Sequence, residues 1–489
     1  MWDKVCKHSI NIGLCIYGLF IMGALFCAIT FDPMLLRNIE RINFKFLISI
    51  LLGCVFLYFI HRKTKGNYDW WILGFLILGT IGWQIYVVCN ARQYIDFDVA
   101  VLVRLVKQDT VTEPCAYLSL YKNNIPIFLL YKIAGSILGR PVGYGVMGML
   151  GLILVDTGFV FIILIAREYN KKYTKLYILF SLAILCLFGW MLCPYTDSYS
   201  ILFTSCFIWS LVKYQKSEHK RYLVLAGVNL VLMYYMKPSL LIFAIALVSI
   251  IILRMHKTIV RKTFIAGGVA LVAMTATYIP LQYGINHQTY VTIDPEMDTP
   301  SPLHWMNIGM KGYGGYSRAD AKMMYKLKDR ASKNEYSIKE IKKSLRSFGF
   351  GGYIKFLATK FDRNVRDGTF SFFMNHAGED TKEPTNLAQN VFWNTGRYTG
   401  TRKWMAQILW ISILGILALT IRDKRLLWLK IAWVGFMLFL LLFEGGRTRY
   451  LIQVLPAILV LFYINLENGK NKLQNIIYAI RTDYVKRQL

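Results

Sequence analysis

The chain has 489 residues, of which 55% are hydrophobic, 15% aromatic and only 17% charged, and its mean hydropathy is +0.41. Soluble domains carry about a quarter of charged residues, so this composition excludes an ordinary soluble protein and indicates a polytopic membrane protein. The net charge of +29 does not predict nucleic-acid binding, because no such motif is present and the basic residues lie mostly in short links between apolar runs. We expect these residues to orient the chain and to contact anionic membrane lipids.

The N-terminal run from Ile10 to Thr30 is too long for a signal-peptide core and lacks a small-residue cleavage site. We therefore expect it to remain in the protein as a membrane span. The nine cysteines lie mostly inside apolar runs and form no C-x-x-C motif and no cluster with histidine. This distribution argues against a zinc site and against a disulfide framework.

A membrane-spanning helix needs about 20 apolar residues. By this criterion the sequence predicts an all-α bundle of about twelve transmembrane helices. The expected spans lie near residues 9–31, 42–60, 71–90, 142–166, 175–193, 197–214, 221–236, 238–254, 262–283, 403–421, 426–443 and 447–466. A further apolar piece, Ile125 to Leu138, is short and contains Lys132, so we expect it to lie in the membrane interface.

The short loops predict the orientation, because basic residues favour the cytoplasmic side. Basic loops at 61–65, 167–175, 213–221, 254–262 and 422–425 place both termini in the cytoplasm, and the same count places the remaining polar loops outside the cell. The predicted regions are N-terminal spans (1–90), a first large outer loop with interface helices (91–141), a central bundle (142–283), a large helical extracellular loop domain (284–402), C-terminal spans (403–466) and a basic cytoplasmic tail (467–489). Within the second loop, residues 317–347 have apolar positions at amphipathic helical spacing.

Two acids, Asp96 and Asp98, follow the third predicted span. A carboxylate at the mouth of a membrane bundle is costly to desolvate, and it is suited to accept a proton from a hydroxyl as a general base. An ordinary solvated loop is the alternative. Two nearby acids could also hold a divalent ion, but no third acid lies close in sequence, so we expect neither a metal nor another cofactor.

Three polar motifs flank the middle spans, and each has a structural alternative. Asn123 and Asn124 precede Pro126 and either begin an interface helix or line a cavity. Tyr195 and Asp197 form either a tight turn with an N-cap or part of a polar rim. Lys237 either extends to lipid headgroups or holds a lipid-linked phosphate.

Two further motifs lie near the second large loop and the last span. His304 precedes a glycine-rich stretch, 312–315, that lacks the ending of a nucleotide-binding loop, so it is either a flexible turn or a close approach to a sugar or phosphate. Glu444, Arg447, Arg449 and Tyr450 enter the last span. The arginines either anchor headgroups or clamp a phosphate, which guanidinium groups bind in bidentate fashion.

In this order the motifs resemble the GT-C membrane glycosyltransferases, in particular the dolichyl-phosphate-mannose–protein mannosyltransferase-like branch of Gram-positive bacteria. Asp96 matches the loop aspartate of that family, residues 121–126 match its Tyr-Pro-Asn-Asn stretch, and residues 444–456 match its C-terminal Arg-Tyr motif. The resemblance covers about residues 94–456. The chain departs from the family pattern at two positions: Lys122 stands where the family commonly has proline, and Asp98 stands at a position that is not usually acidic in the family. It also has two additional N-terminal spans.

The resemblance implies a GT-C-like fold and inverting transfer of a sugar from a polyprenyl-phosphate donor to an extracellular acceptor. Asp96 would be the base, Asp98 would support it, and Lys237, Arg447 and Arg449 would bind the lipid phosphate. Asn123, Asn124, Tyr195, Asp197, His304, Glu444 and Tyr450 would contact the substrates. The acceptor would be a wall polysaccharide, a teichoic acid or a protein hydroxyl, and the expected location is the cell membrane with the site on the extracellular face.

Two other classes of function stay open from the sequence. A transporter or flippase of a lipid-linked sugar would also have many spans and outer-face arginines, but it would need polar residues along the whole bundle. A structural partner in a wall-assembly complex would tolerate the loss of Asp96. The gathering of polar motifs at one face favours the enzyme.

Overall fold

The computed structural model describes residues 2–33, 68–92, 95, 97–108, 113–254, 260–372 and 383–488. These residues form 18 α-helices with short 3₁₀ segments between them, and they contain no extended strand. The predicted all-α class is therefore confirmed. Asp96 and the span predicted near 42–60 lie outside the described residues.

The helices are numbered here in chain order. The first nine are α1 (Trp2–Thr30), α2 (Tyr68–Asn90), α3 (Asp98–Val106), α4 (Ala116–Leu120), α5 (Ile125–Ile137), α6 (Tyr144–Tyr169), α7 (Thr174–Leu187), α8 (Thr196–Ser217) and α9 (Arg221–Met236). The second nine are α10 (Ile242–Arg254), α11 (Val260–Asn286), α12 (Pro302–Ile308), α13 (Arg318–Lys326), α14 (Arg330–Val365), α15 (Leu387–Phe392), α16 (Thr399–Leu419), α17 (Leu427–Leu442) and α18 (Leu455–Gln488).

Six helical segments of the described chain are long and apolar enough to cross a membrane: Cys6–Thr30, Trp70–Asn90, Tyr144–Tyr169, Lys262–Asn286, Thr399–Leu419 and Thr448–Ile476. Three shorter apolar helices coincide with predicted spans: Arg221–Met236, Pro238–Leu253 and Leu427–Leu442. A helix satisfies its own backbone hydrogen bonds, which is why such apolar runs are helical in lipid. The total of twelve spans stays a prediction.

Helix α5 has 13 residues. At a rise of about 1.5 Å per residue it is roughly 20 Å long, which is shorter than the hydrocarbon core of a bilayer. This length agrees with the expectation that the segment does not cross. The span predicted at 175–193 differs from the structure, because α7 ends at Leu187 and a 3₁₀ turn, Gly189–Leu192, follows it.

The centre of the bundle is the segment that leads into and forms the first part of α18. In the apolar window of Thr448–Ile476, 89% of the residues are buried, whereas only 6% are buried in Lys262–Asn286. Trp410 of α16 and Tyr463 of α18 are almost completely buried within this core. The segment at 448–476 is therefore the central element, and α11 lies at the periphery.

One polar pair lies within the apolar bundle. Gln84 of α2 donates a hydrogen bond from Nε2 to Oδ1 of Asp156 at 2.9 Å. Asp156 lies at the middle of the 26-residue helix α6, far from either helix end. An acid at this position is costly in lipid, and the amide of Gln84 compensates part of that cost.

Residues 287–372 and 383–398, called the cap here, include helices α12 to α15 and cover one end of the bundle. The amphipathic segment predicted at 317–347 is helical but forms two helices, because Leu327 is extended and Asp329 begins α14 as its N-cap. Helix α14 bends at Gly349, where φ is 59°. Its C-terminal part returns to the bundle, where the rings of Phe361 and Phe20 lie 5.6 Å apart.

A buried lysine joins the cap to the bundle. Nζ of Lys360 donates to the carbonyl oxygens of Gly309 at 2.7 Å, Leu441 at 3.1 Å and Phe443 at 2.5 Å. The last carbonyls of a helix have no partner within it, so Lys360 satisfies the end of α17 and fixes the cap above it. The covered end is called the cap end below, and the opposite end, with the short basic loops, is called the loop end.

Candidate functional site

The site residues of the described chain come together because several helices begin or end at the cap end. Helix α3 begins at Asp98, α8 begins at Thr196, and α9 ends just before Lys237. The 3₁₀ segment Thr448–Val454 enters the central element at the same level. Four distant parts of the sequence therefore meet in one place.

Asp98 is the centre of a hydrogen-bonded ring of four side chains. The hydroxyl of Tyr117 donates to Oδ1 of Asp98 at 2.8 Å, and the hydroxyl of Tyr195 lies 2.9 Å from Oδ2. Asn124 closes the ring, because its Nδ2 donates to the Tyr117 hydroxyl at 2.6 Å and its Oδ1 lies 3.0 Å from the Tyr195 hydroxyl. The ring fixes the orientation of the carboxylate.

The two tyrosines of this ring remain donors. Burial, reinforced by the charge of Asp98, holds the pKa of Tyr117 and of Tyr195 well above the usual value for a phenol. Both hydroxyls are therefore protonated over the physiological range. They can donate to Asp98 but do not take a proton from it.

Asp197 is completely buried and lies between two cations. Its Oδ1 is 3.0 Å from Nζ of Lys237, and its Oδ2 is 3.4 Å from Nε of Arg449. The amide of Gln453 approaches Oδ1 at 3.4 Å. One carboxylate faces two cations, so these three ionic side chains together carry one net positive charge at the cap end.

Aromatic side chains connect the hydrogen-bonded ring around Asp98 to the ion cluster of Asp197, Lys237 and Arg449. Nζ of Lys237 lies 5.1 Å from the ring centre of Tyr195, and the guanidinium of Arg449 lies 4.8 Å from the ring centre of Phe97. The rings of Phe97 and Tyr195 meet edge to face at 5.8 Å. Tyr195 is thus shared by the carboxylate of Asp98 and by the cationic group around Asp197.

The loop that contains Glu444 and the glycine-rich loop of the cap are joined through their backbones. The amide of Gly445 donates to the carbonyl of Gly314 at 2.7 Å, and the amide of Gly446 donates to Oδ1 of Asn364 at 2.7 Å. Gly446 has φ of +72°, and a Cβ there would lie 2.2 Å from the carbonyl oxygen of Tyr313. Only glycine fits this close approach.

Glu444 lies beside the arginine pair. The hydroxyl of Tyr450 donates to Oε1 of Glu444 at 2.6 Å, and the guanidinium of Arg449 lies 5.3 Å from the ring centre of Tyr450. Arg447 is half-buried in the same loop. The four predicted residues of this motif are therefore close together, and Arg449 faces inward to Asp197 instead of outward to headgroups.

A wall of three tyrosines lies beside Asp98 and is called the tyrosine wall below: Tyr121 of the first large loop, and Tyr316 and Tyr325 of the cap. Tyr121 packs near Trp305 and Tyr325, with ring centres 6.1 Å and 6.2 Å away. Burial and then the nearby charge of Asp98 raise the pKa of Tyr325 to about 12. Partial burial and then the charges of Asp98 and Glu444 raise the pKa of Tyr316. The wall therefore extends between the two carboxylates.

Asn124 stands at the start of α5 as the structural alternative expected, whereas Asp197 is not the N-cap of α8. Asn124 makes no cap bond to α5, and its side chain belongs to the Asp98 ring. Asp197 lies in the first turn of α8, where Tyr195 is the N-cap residue, and it faces Lys237 and Arg449. Asn123 is exposed beside Asn124, with its Nδ2 3.4 Å from Oδ1 of Asn124.

His304 is buried inside the cap, with its ring centre 5.2 Å from that of Trp305. Its Nδ1 has no hydrogen-bond partner within the described chain. Burial lowers the pKa of His304 to about 4. It therefore lies behind the tyrosine wall and supports Trp305, and it does not line the mouth of the site.

The sequence reasoning did not select Tyr117 or Gln453. Tyr117 has no local sequence signal, because its partner Asp98 lies 19 residues earlier, at the start of another helix. Gln453 has a weak sequence signal, because it is a polar residue inside an apolar run. In the structure its Oε1 also accepts a 2.7 Å hydrogen bond from the hydroxyl of Ser239. Among the described residues, no group of three or more His, Cys, Asp or Glu side chains is arranged to hold a metal ion.

Comparison with known proteins places the chain in a family without assigning it an activity. No curated protein and no solved structure matches the chain. A family model described as "conserved hypothetical integral membrane protein" matches residues 5–470. The chain belongs to this family and is therefore an integral membrane protein.

Proposed function

We propose that the protein is an inverting membrane glycosyltransferase that moves a sugar from a polyprenyl-phosphate donor to an extracellular glycopolymer. The observation that carries the proposal is the short path from Asp98 through Tyr195 to the cationic group of Lys237 and Arg449. A transfer from a phosphate-linked sugar needs a base for the acceptor hydroxyl and positive charge for the departing phosphate. Both are present within one site.

The base belongs to the segment that contains Asp96 and Asp98. The family resemblance assigns it to Asp96, which lies outside the described residues. The contacts of Asp98 support that residue as a second candidate, because its carboxylate is oriented by two phenols and is half-buried. A base oriented in this way would accept the hydroxyl proton while the acceptor oxygen attacks the anomeric carbon.

The departing lipid phosphate is stabilised by Lys237, Arg447 and Arg449. Asp197 neutralises only one of the two cations that it contacts, so the cluster favours an added anion. Preorganised positive charge of this kind can contribute a large part of catalysis. A phosphate leaving group needs no proton donor, so a single base is sufficient.

An apolar groove supports the proposed lipid donor. It is lined by residues of α7 and α16, including Leu187, Leu409, Trp410 and Ile413, and encloses about 30 Å³. Gly189 at its rim is adjacent to Trp190, whose ring centre lies 5.7 Å from the guanidinium of Arg449. A prenyl chain that lies against the open side of this groove would place its phosphate near the cationic group.

The tyrosine wall supports a carbohydrate acceptor. Aromatic faces pack against the apolar faces of sugar rings, and phenol hydroxyls can hydrogen-bond to sugar hydroxyls. Tyr316 and Tyr325 lie on the cap side of Asp98, opposite the membrane core. An acceptor chain would therefore approach the base from the cap.

The test is an assay with purified full-length protein and a synthetic prenyl-phosphate sugar, scored by release of prenyl phosphate. We expect Asp96→Asn or Asp98→Asn to abolish turnover, with Glu113→Gln, an exposed acid of the same loop, as the matched control. Loss in only one variant identifies the base. Normal turnover in both variants, at normal expression and thermal stability, would exclude this mechanism.

A lipid-linked-sugar flippase is the second candidate, and one observation favours it: the hydrogen-bonded pair of Asp156 and Gln84 within the bundle. A flippase would move a fluorescent prenyl-phosphate sugar across the bilayer of proteoliposomes without cleaving it. The proposed transferase would release prenyl phosphate, and Asp156→Asn would leave that release unchanged.

A further inference from the structure

A cavity lies at the loop end of the bundle, at the opposite end from Asp98. It has a volume of about 250 Å³, and its lining comes from the ends of α6, α8, α10, α11 and α17. Apolar helices end at the boundary between hydrocarbon and headgroups, so the cavity lies at headgroup depth. No part of the proposed transferase reaction uses it.

The walls of the cavity differ in polarity. Leu247, Ile250 and Ile251 of α10 form an apolar wall, and Gln215, Thr263 and Lys424 provide polar groups. Val248 and Ile252 of the same helix are about half exposed, so the apolar wall continues onto the outer surface of the bundle. A cavity with this division suits an amphiphile whose polar part is inside and whose chains leave along α10.

The rim of the cavity is cationic. Lys424 is exposed and has no ion-pair partner within the described chain, and Arg425 beside it is paired with Asp423 at 2.8 Å. Lys213 and Lys216 share a single acid, Glu168, at 2.8 Å and 3.3 Å. The exposed pair of Lys262 and Glu218 adds no net charge. The rim therefore keeps two uncompensated positive charges.

We propose that this cavity binds the headgroup of an anionic phospholipid. Basic pockets between membrane helices at headgroup depth select anionic lipids, because the phosphate and a second acidic group meet fixed cations there. Lys424 contacts the phosphate, Gln215 and Thr263 hydrogen-bond to the headgroup, and the acyl chains pack along Ile250 and Ile251. The bound lipid would join α10, α11 and α17 at the loop end.

The experiment uses full-length protein purified in detergent, with phosphatidylglycerol as the probe and phosphatidylcholine as the neutral comparison. Native mass spectrometry counts the bound lipid, and the thermal midpoint is followed as each lipid is added. We expect one phosphatidylglycerol to be retained. Lys424→Ala should weaken its binding about tenfold, as the loss of one charge-assisted contact implies, and Lys424→Glu should weaken it further.

Lys171→Ala is the matched control, because Lys171 is an exposed lysine at the same end that does not line the cavity. We expect this variant to bind phosphatidylglycerol as the native protein does. Equal binding by both Lys424 variants, or equal binding of phosphatidylcholine, would overturn the proposal. Full displacement of the lipid by millimolar glycerol 3-phosphate would also overturn it, since that result identifies a site for a free anion.

Discussion

Tyr195 is the residue on which the two halves of the candidate site depend. Its hydroxyl contacts Asp98 and Asn124, and its ring lies under Lys237. A phenylalanine would keep the ring and its packing but would remove the hydroxyl. Tyr195→Phe therefore separates the orientation of the carboxylate from the packing of the cation.

We expect Tyr195→Phe to fold normally and to lower kcat for release of prenyl phosphate by about tenfold to a hundredfold, the value of one hydrogen bond to a charged group. The measurement is steady-state turnover with a synthetic donor. Tyr214→Phe, near the other end of α8, is the control and should keep native turnover. An unchanged kcat in Tyr195→Phe would show that the Asp98 ring does not serve the reaction.

Arg449 has a structural and a proposed functional role, which two substitutions separate. Arg449→Ala leaves the buried Asp197 with Lys237 as its remaining cation, so we expect a loss of about 3–5 kcal/mol in the free energy of unfolding. Arg449→Lys keeps the positive charge but loses the planar guanidinium. It should stay folded and show a raised KM for the lipid donor.

These effects are checked by thermal unfolding and by the dependence of turnover on donor concentration. A native KM in a folded Arg449→Lys protein would contradict the phosphate-binding role. The loss of stability in Arg449→Ala would still follow from the ion cluster alone.

At the scale of elements, Lys360 links the cap to the bundle through two of its three hydrogen bonds, those to the carbonyls of Leu441 and Phe443. Lys360→Met would keep most of the side-chain volume but leave the carbonyls of Gly309, Leu441 and Phe443 without this donor. We expect a loss of about 2–4 kcal/mol in stability and faster proteolysis of the cap. Lys355→Met, at an exposed position of the same helix, should change neither. Equal protease sensitivity of the two variants would show that Lys360 does not fix the cap.

The elements also show what can be read from the sequence. Long apolar runs predicted the helices well, because lipid leaves the backbone no other way to satisfy its hydrogen bonds. The polar residues were less predictable: Asn124 and Asp197 both stand at helix starts, where capping is the usual role. Their actual partners, Tyr117 and Arg449, come from other parts of the fold. The residues next to Asn124 and Asp197 in the sequence predict helix capping, but contacts with distant parts of the chain determine where the two side chains point.

The same limit applies to the candidate site as a whole. The order of motifs along the chain predicted Asp98, Lys237, Arg449, Glu444 and Tyr450 as site residues, and the structure brings these side chains to the cap end. It did not predict that His304 is buried behind Trp305, because a histidine next to glycine-rich sequence is typical of an exposed loop. The burial of His304 depends on how the cap folds back on the bundle, and a short sequence motif does not predict that packing.

At the scale of the whole molecule, His304 makes stability depend on pH. Its pKa falls from the usual 6.5 to about 4 on folding, because burial disfavours the charged ring. Between these two values the unfolded chain binds more protons, so the free energy of unfolding decreases as pH falls from about 6.5 to 4. The effect amounts to no more than about 3 kcal/mol.

We expect His304→Phe to remove this part of the pH dependence while leaving stability near pH 7.5 within about 1–2 kcal/mol of the native protein. The measurement is a series of thermal midpoints between pH 4 and pH 8. His287→Phe, at an exposed histidine just after the peripheral helix α11, should keep the native pH profile. Identical profiles for the native protein and for His304→Phe would assign the acid sensitivity to other groups.

The most buried part of the bundle, 448–476, comes after all the other described helices in the chain. During synthesis, the earlier helices therefore enter the membrane before the element around which they pack exists. Until then Asp197 has Lys237 but lacks Arg449, its second cationic partner. The pair of Asp197 and Arg449 in the candidate site can therefore form only after this last element has been inserted.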